Sequence, residues 1–421
     1  MTAADPHPAT RRAVEAVWRM ESARLVAGLA RLVRDVGLAE ELAQDALVAA
    51  LEQWPRDGVP DNPGAWLMGT AKHRAIDQLR RHERYQRKLA ELGRELTSQE
   101  AAAPDLDTAL DDHIGDDLLR LIFTTCHPVL TVDSRVALTL RLLGGLSTED
   151  IARAFLVPET TVAQRILRAR RALAQHYVPF EIPARGELPG RLASVLGVVY
   201  LIFNEGFAAT SGADWMRPEL CEEALRLGRV LAGLMPDEAE VHGLVALLEI
   251  QASRVRARTG PDGEPVLLLE QDRRRWDRLL IRRGLAALER AEALGDEIGP
   301  YTLQAAIAAC HARAVTAGDT DWVRIAALYL VLAHVAPSPV VELNRAVAVG
   351  MATGPAAGLA VLDAVAGARE LASYPQLPAV RGDLLVKLGR GAEARAEFER
   401  AAALTRNDRE RTIFLRRAAD C

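Results

Sequence analysis

Between Ser147 and Arg171 the chain has little freedom: one helix must stop and another must start within a few residues. Ser147 suits the N-cap of the first, its hydroxyl accepting from the amide of Asp150 while that carboxylate reaches back, an acidic form of the capping box. Ile151, Ala152 and Phe155 then share one face. Pro158 fits the first turn of the second helix, where its missing N–H costs nothing and its φ is already helical, which confines the turn to Leu156 and Val157. Val162, Ile166, Ala169 and Leu173 recur at helical spacing and form the inward stripe of that helix. Leu156 stands where a residue with positive φ is usual, at a cost of about 1–2 kcal/mol for a leucine, so either the turn bends differently or packing compensates.

The outward stripe of the second helix holds Thr161, Gln164, Arg165 and Arg168, with Arg170 and Arg171 further along. Hydroxyl, amide and guanidinium groups in a row can reach base edges and phosphates in a major groove. Glu159 is the only acid between Pro158 and Leu173, so the stripe is not a self-neutralised surface. This is the pattern of a helix-turn-helix DNA reader.

A second cationic helix lies upstream. Asn62-Pro63-Gly64 is a turn signal, after which Leu67, Ala71, Ala75, Ile76 and Leu79 turn inward and Lys72, His73, Arg74, Arg80 and Arg81 outward, with Arg84, Arg87 and Lys88 following. The whole chain carries a formal charge of −5, so a local basic strip is an electrostatic footprint rather than background. Before it, residues 38–54 form an amphipathic helix with Leu42, Ala46, Ala49, Ala50 and Leu51 inward and Glu41, Gln44 and Asp45 outward.

Together these segments resemble the extracytoplasmic-function group of bacterial RNA polymerase sigma factors. Residues 11–88 look like sigma region two, with Glu40-Glu41-Leu42-Ala43-Gln44-Asp45-Ala46-Leu47 similar to the clamp-docking helix and Ala65-Trp66-Leu67 through Arg81 similar to the promoter-opening helix. Residues 112–178 look like region four. The resemblance implies that Glu41, Gln44 and Asp45 meet RNA polymerase core enzyme. It implies that Trp66, Lys72, His73, Arg74, Asp77, Arg80 and Arg81 touch the downstream promoter element, and that Thr160, Thr161, Gln164, Arg165, Arg168 and Arg171 read the upstream one. Two departures stand out: His73 replaces the family's usual Asn, and Ala163 stands where Lys is common.

At 421 residues the chain exceeds a single core. Its content, 49% hydrophobic but only 5% aromatic, favours helices throughout, so the expected fold class is all-α. Residues 89–111 read as a polar tether and 179–190, with Pro179, Pro183, Pro189 and two glycines, as a second linker. The remainder, 191–421, reads as a helical array. Gly382, Leu385, Leu388, Gly389, Ala394, Phe398 and Ala401 match the small and large positions of a tetratricopeptide helix pair, and 344–363 resembles it loosely. The segments Tyr200–Phe207, Leu269–Asp277, Asp319–Trp322 and Pro337–Arg345 are more polar than packing requires and resemble the extension of one subgroup of the same sigma factors.

No nucleophile elbow, phosphate loop or metal helix is present, so no enzymatic activity, metal or cofactor is expected. Glu205, Glu270, Asp272, Asp277, Asp319 and Asp321, with His311, read as helix caps and arginine partners. Cys126, Cys221, Cys310 and Cys421 have no paired spacing. The N-terminus lacks a signal-peptide core and no apolar run would span a bilayer, so a cytoplasmic protein without a membrane partner is expected. The leading reading is a promoter-specificity subunit whose C-terminal array modulates or supports activity and is where a regulatory protein or ligand would act. The alternative is a polymerase-independent helix-turn-helix regulator with a helical-repeat sensing domain.

Overall fold

The computed structural model describes residues 8–92, 114–212, 214–261, 263–295 and 297–421, with side chains described for all of these except 8–12, 78, 79, 81–92 and 114. The Leu79, Arg81, Arg84, Arg87 and Lys88 side chains and most of the tether at 89–111 therefore lie outside the described residues. The fold is all-α, and the chain divides into two compact units, Met1–Val198 and Val199–Cys421.

Unit 1 starts with α1 (Pro8–Val33), α2 (Val36–Asp57) and α3 (Pro63–Leu92). Short caps set their ends: Asp35 Oδ1 accepts from the amide of Leu38 at 2.8 Å, and Asn62 Oδ1 from that of Ala65 at 3.1 Å. Leu25 and Leu29 of α1, Leu42, Ala46, Ala50 and Trp54 of α2, and Leu67, Ala71 and Ala75 of α3 are buried. Leu51, expected inward, is 39% exposed, because the buried stripe runs through Ala43, Ala46, Ala50 and Trp54 and Leu51 lies a hundred degrees around from Ala50. The second group is α4 (Ile114–Thr125), α5 (Val132–Leu142), α6 (Thr148–Phe155) and α7 (Glu159–Gln175).

The two groups pack together through α1, which lies against α4 and α5. Arg31 reaches buried Asp117 of α4 at 3.1 Å, and Arg141 of α5 donates to Glu40 of α2 at 2.7 Å. Next comes α8 (Leu188–Phe207), whose first turns belong to unit 1: Arg191 donates to the carbonyl of Phe123 at 2.9 Å and Ser194 to that of Cys126 at 2.6 Å. The division between units thus falls inside α8.

Unit 2 continues with α9 (Pro218–Leu234), α10 (Ala239–Ala252), α11 (Arg278–Leu294), α12 (Pro300–Arg313) and α13 (Trp322–Val335). It ends with α14 (Pro339–Ala352), α15 (Pro355–Val365), α16 (Gln376–Lys387), α17 (Gly391–Leu404) and α18 (Asp408–Ala419). Most successive helices pack on one another, as stacked repeats do. Gly382 of α16 faces fully buried Phe398 of α17, and Gly358 lets α15 approach the backbone of α14 at Ala346 and Gly350. A two-residue parallel pairing joins Ser211–Gly212 to Arg406–Asn407. No described helix is long and apolar enough to cross a membrane.

Candidate nucleic-acid interface

The α6–α7 pair forms as its local sequence dictates. Ser147 Oγ accepts from the amide of Asp150 at 3.0 Å while Asp150 Oδ2 accepts from the amide of Ser147 at 3.2 Å, completing the capping box. Leu156 ends α6 in the left-handed region, at φ 48° and ψ 45°. The amide of Val157 then donates to the carbonyl of Ala152 at 3.1 Å, the long bond of a Schellman turn. The bend is thus the one usually given to glycine, made here by leucine. Pro158, expected inside α7, is instead its N-cap with ψ 143°; the ring fixes φ only, and its carbonyl accepts from Thr161 at 2.9 Å.

Val162, Ile166, Ala169 and Leu173 bury the inner face of α7, which leaves Thr160, Gln164, Arg168 and Arg171 exposed and Thr161 and Arg165 half-buried. A hollow of about 350 Å³ opens beside this row, lined by Thr161, Gln164, Arg165 and Arg168 and by Thr131, Asp133 and Ser134. Arg165 is held in it by Asp133 at 2.7 Å. Arg170, expected on the same outward stripe, turns instead to Glu40 of α2, which is only 4% exposed. A buried carboxylate needs a paired cation, and Glu40 takes both Arg141 and Arg170.

On α3, His73, Arg74, Asp77 and Arg80 are exposed and Lys72 is half-buried. Arg74 lies 3.5 Å from Asp45, itself exposed on α2 beside exposed Glu41 and half-buried Gln44. Trp66 is half-buried and packs T-shaped with buried Trp54, ring centroids 5.5 Å apart, so part of its ring already serves the core.

Five of the six acids singled out in unit 2 are engaged locally. Asp277 and Asp321 cap α11 and α13, Asp272 holds the amide and guanidinium of Arg274, Asp319 accepts from Thr316, and Glu205 pairs with Arg217. His311 is buried, and burial pushes it down to about 4. Cys126 is buried against Thr139 at 3.4 Å, while Nδ1 of His127 accepts from the amide of Val129 at 3.1 Å, so the two neighbours serve different partners. Among the described residues no group of three His, Cys, Asp or Glu side chains is placed to hold a metal ion.

Comparison with known proteins matches residues 19–85 to Sigma-70 region 2 and residues 120–173 to Sigma-70, region 4. Over 150 residues the chain is 33% identical to the ECF RNA polymerase sigma factor SigC of Mycobacterium tuberculosis, covering 35% of this chain and 75% of that protein. The chain belongs to the ECF RNA polymerase sigma factors. An ECF RNA polymerase sigma-E factor of Haemophilus influenzae is 41% identical over 75 residues, 18% of this chain and 39% of that one. An uncharacterized protein of Rhizobium meliloti is 45% identical over 384 residues, 91% of this chain and 89% of its own, so the full layout of this sigma factor recurs elsewhere. Residues 191–292 match a family of unknown function, DUF6596. No solved structure matches the chain.

The sigma factor holds three groups that sequence reasoning passed over: Asp133, which neutralises Arg165, and buried Glu40 and its second partner Arg141, Glu40 capturing Arg170 as well. Only Glu40 left a local trace, an acid on the hydrophobic side of an otherwise regular amphipathic helix.

Proposed function

We propose that this sigma factor directs promoter-specific initiation through the outer face of α7 and the cationic face of α3. Gln164, Arg165, Arg168 and Arg171, with Thr160 and Thr161, read the upstream element in a major groove. Trp66, Lys72, His73, Arg74, Asp77, Arg80 and Arg81 engage the downstream element as it opens. Glu41, Gln44 and Asp45 meet basic groups on the polymerase core. The functional segments are 11–88 and 112–178, joined by 89–111, and 179–190 leads to the helical domain 191–421, which modulates or supports the activity. The protein works in the cytoplasm and contributes specificity, with no catalysis of its own.

The observation that carries this reading is the row of exposed amide and guanidinium groups on α7, seated on a capped helix-turn-helix. Transcription in vitro with polymerase core tests it, comparing the full chain with residues 1–178. Promoter-specific initiation by neither form rejects it, and a difference between the two measures what the helical domain adds. Arg165→Ala should weaken promoter use by about 1–3 kcal/mol, the worth of one guanidinium–guanine pair. An unchanged footprint removes Arg165 from the reading set.

A further inference from the structure

Three polar segments that promoter reading leaves unused, Tyr200–Phe207, Leu269–Asp277 and Asp319–Trp322, come together in unit 2. Arg273 ties the second to the third, donating to Thr320 Oγ1 at 2.9 Å and to the carbonyls of His311 at 2.5 Å and Ala314 at 2.9 Å. Phe207, at the end of α8, lies against two guanidinium groups, with Arg258 Cζ 3.5 Å and Arg254 Cζ 5.3 Å from its ring centroid. Trp215 is 4.4 Å from Arg258, and Trp276 is 5.7 Å from Arg254 and 5.1 Å from Arg273. Cations and rings therefore alternate in one continuous cluster.

Neighbouring Arg217 has its carboxylate in Glu205. Arg254 and Arg258 have none: among the described residues no acid pairs with either. Arg258 is 6% exposed and its Nη1 lacks an acceptor. Arg254 Nε, Arg273 Nε and the indole N–H groups of Trp215 and Trp276 are likewise buried without acceptors. Glu410, whose charge reaches Arg258, accepts instead from Thr405 and Gln376. Burial, reinforced by the repulsion between these arginines, pushes Arg258 down to about 9; burial and the charge of Arg273 push Arg254 down to about 10. Stacking on aromatic faces offsets only part of the cost of burying two like charges side by side. Five donors are thus buried without acceptors, against two orphaned amide acceptors in the same stretches of chain, Oε1 of Gln251 and of Gln271, so donors are in excess.

We propose that Arg254 and Arg258, backed by the indole N–H groups of Trp215 and Trp276, form a receptor for a small oxyanion, a phosphate or a carboxylate group. A planar guanidinium fork matches either group through two parallel hydrogen bonds. The site lies wholly in unit 2 and does not rest on the promoter assignment.

Titration of the full chain with inorganic phosphate and, separately, with citrate, at constant ionic strength in chloride, tests the receptor by calorimetry and tryptophan fluorescence. Saturable binding of either anion is expected, with a change in emission because two of the tryptophans adjoin the site, and the anion that binds identifies the group. Arg258→Met should lower the affinity about tenfold or more, whereas Arg168→Ala combined with Arg171→Ala, on the basic face of unit 1, should leave it unchanged. Should Arg258→Met fail to fold, Arg258→Lys reads the same loss, since it keeps the charge without the fork. Binding of neither anion, equal affinity in the Arg258 variant, or loss only in the unit 1 variant overturns the proposal.

Discussion

Leu156 holds a left-handed backbone while 53% exposed, so little burial compensates its strain. Leu156→Gly should therefore stabilise unit 1: relief of about 1–2 kcal/mol of strain exceeds the extra chain entropy of glycine, roughly 0.5–1 kcal/mol. The urea midpoint measures the gain, and a lower midpoint would show that the leucine side chain supports the turn. His311 offers a test by pH. Burial, aided by the charges of Arg254 and Arg273, holds it down to about 4 from 6.5, so the folded chain prefers the neutral ring. Its contribution is fully present above pH 6.5 and is lost as pH falls toward 4, by about 3 kcal/mol in all. His311→Phe should flatten that part of the acid dependence, seen as a smaller drop in denaturant midpoint between pH 7 and pH 4.5. At this scale the sequence reads well where partners are local: Ser147 and Asp150 lie three residues apart and cap as their spacing requires. Pro158 shows the limit, because a ring that fixes φ leaves ψ to decide between N-cap and first turn.

Helix pairs in unit 2 depend on contacts between small and large residues. A Cβ added at Gly382 would sit 2.8 Å from the ring of Phe398, which is fully buried. Gly382→Ala should thus destabilise α16–α17 by about 1–3 kcal/mol, even though alanine gains about 1 kcal/mol of helix propensity. A rise in melting temperature would mean that the ring can shift. This pair was legible through its match to the small and large positions of a tetratricopeptide helix pair, and the buried stripe Val162, Ile166, Ala169 and Leu173 of α7 through helical spacing. Leu51 was not, since hydrophobicity suggested an inward side chain where helical phase decides otherwise.

Across unit 1, Glu40 joins the helix proposed to meet polymerase to the helix proposed to read DNA. Glu40→Gln removes the charge that holds Arg170, so the free chain should bind duplex DNA more tightly. The slope of log affinity against log salt should steepen by about 0.9 for Arg170, since Arg141, the other arginine on Glu40, keeps its bond to the carbonyl of Leu146 at 3.2 Å. Filter binding across a potassium chloride series measures it, and an unchanged slope would leave Arg170 without a role at phosphate. Such pairs escape a sequence reading because 130 positions separate Arg170 from Glu40, and periodicity carries no information at that distance. The polar motifs of unit 2 showed an excess of hydrogen-bonding groups, but only the fold revealed that Phe207, Trp276 and Thr320 converge on neighbouring arginines.

Asn407, fully buried just before α18, donates through Nδ2 to the carbonyls of Ala209 at 3.1 Å and Asp214 at 3.0 Å, and its Oδ1 accepts from the amides of Arg409 and Glu410. The last helix thus fastens the loop that opens the same unit, and Trp215 hangs from that loop. A premature stop codon sparing everything up to Thr405 would still orphan two carbonyls some two hundred residues earlier in the gene's reading order, so damage at the tail would surface at the head of the domain.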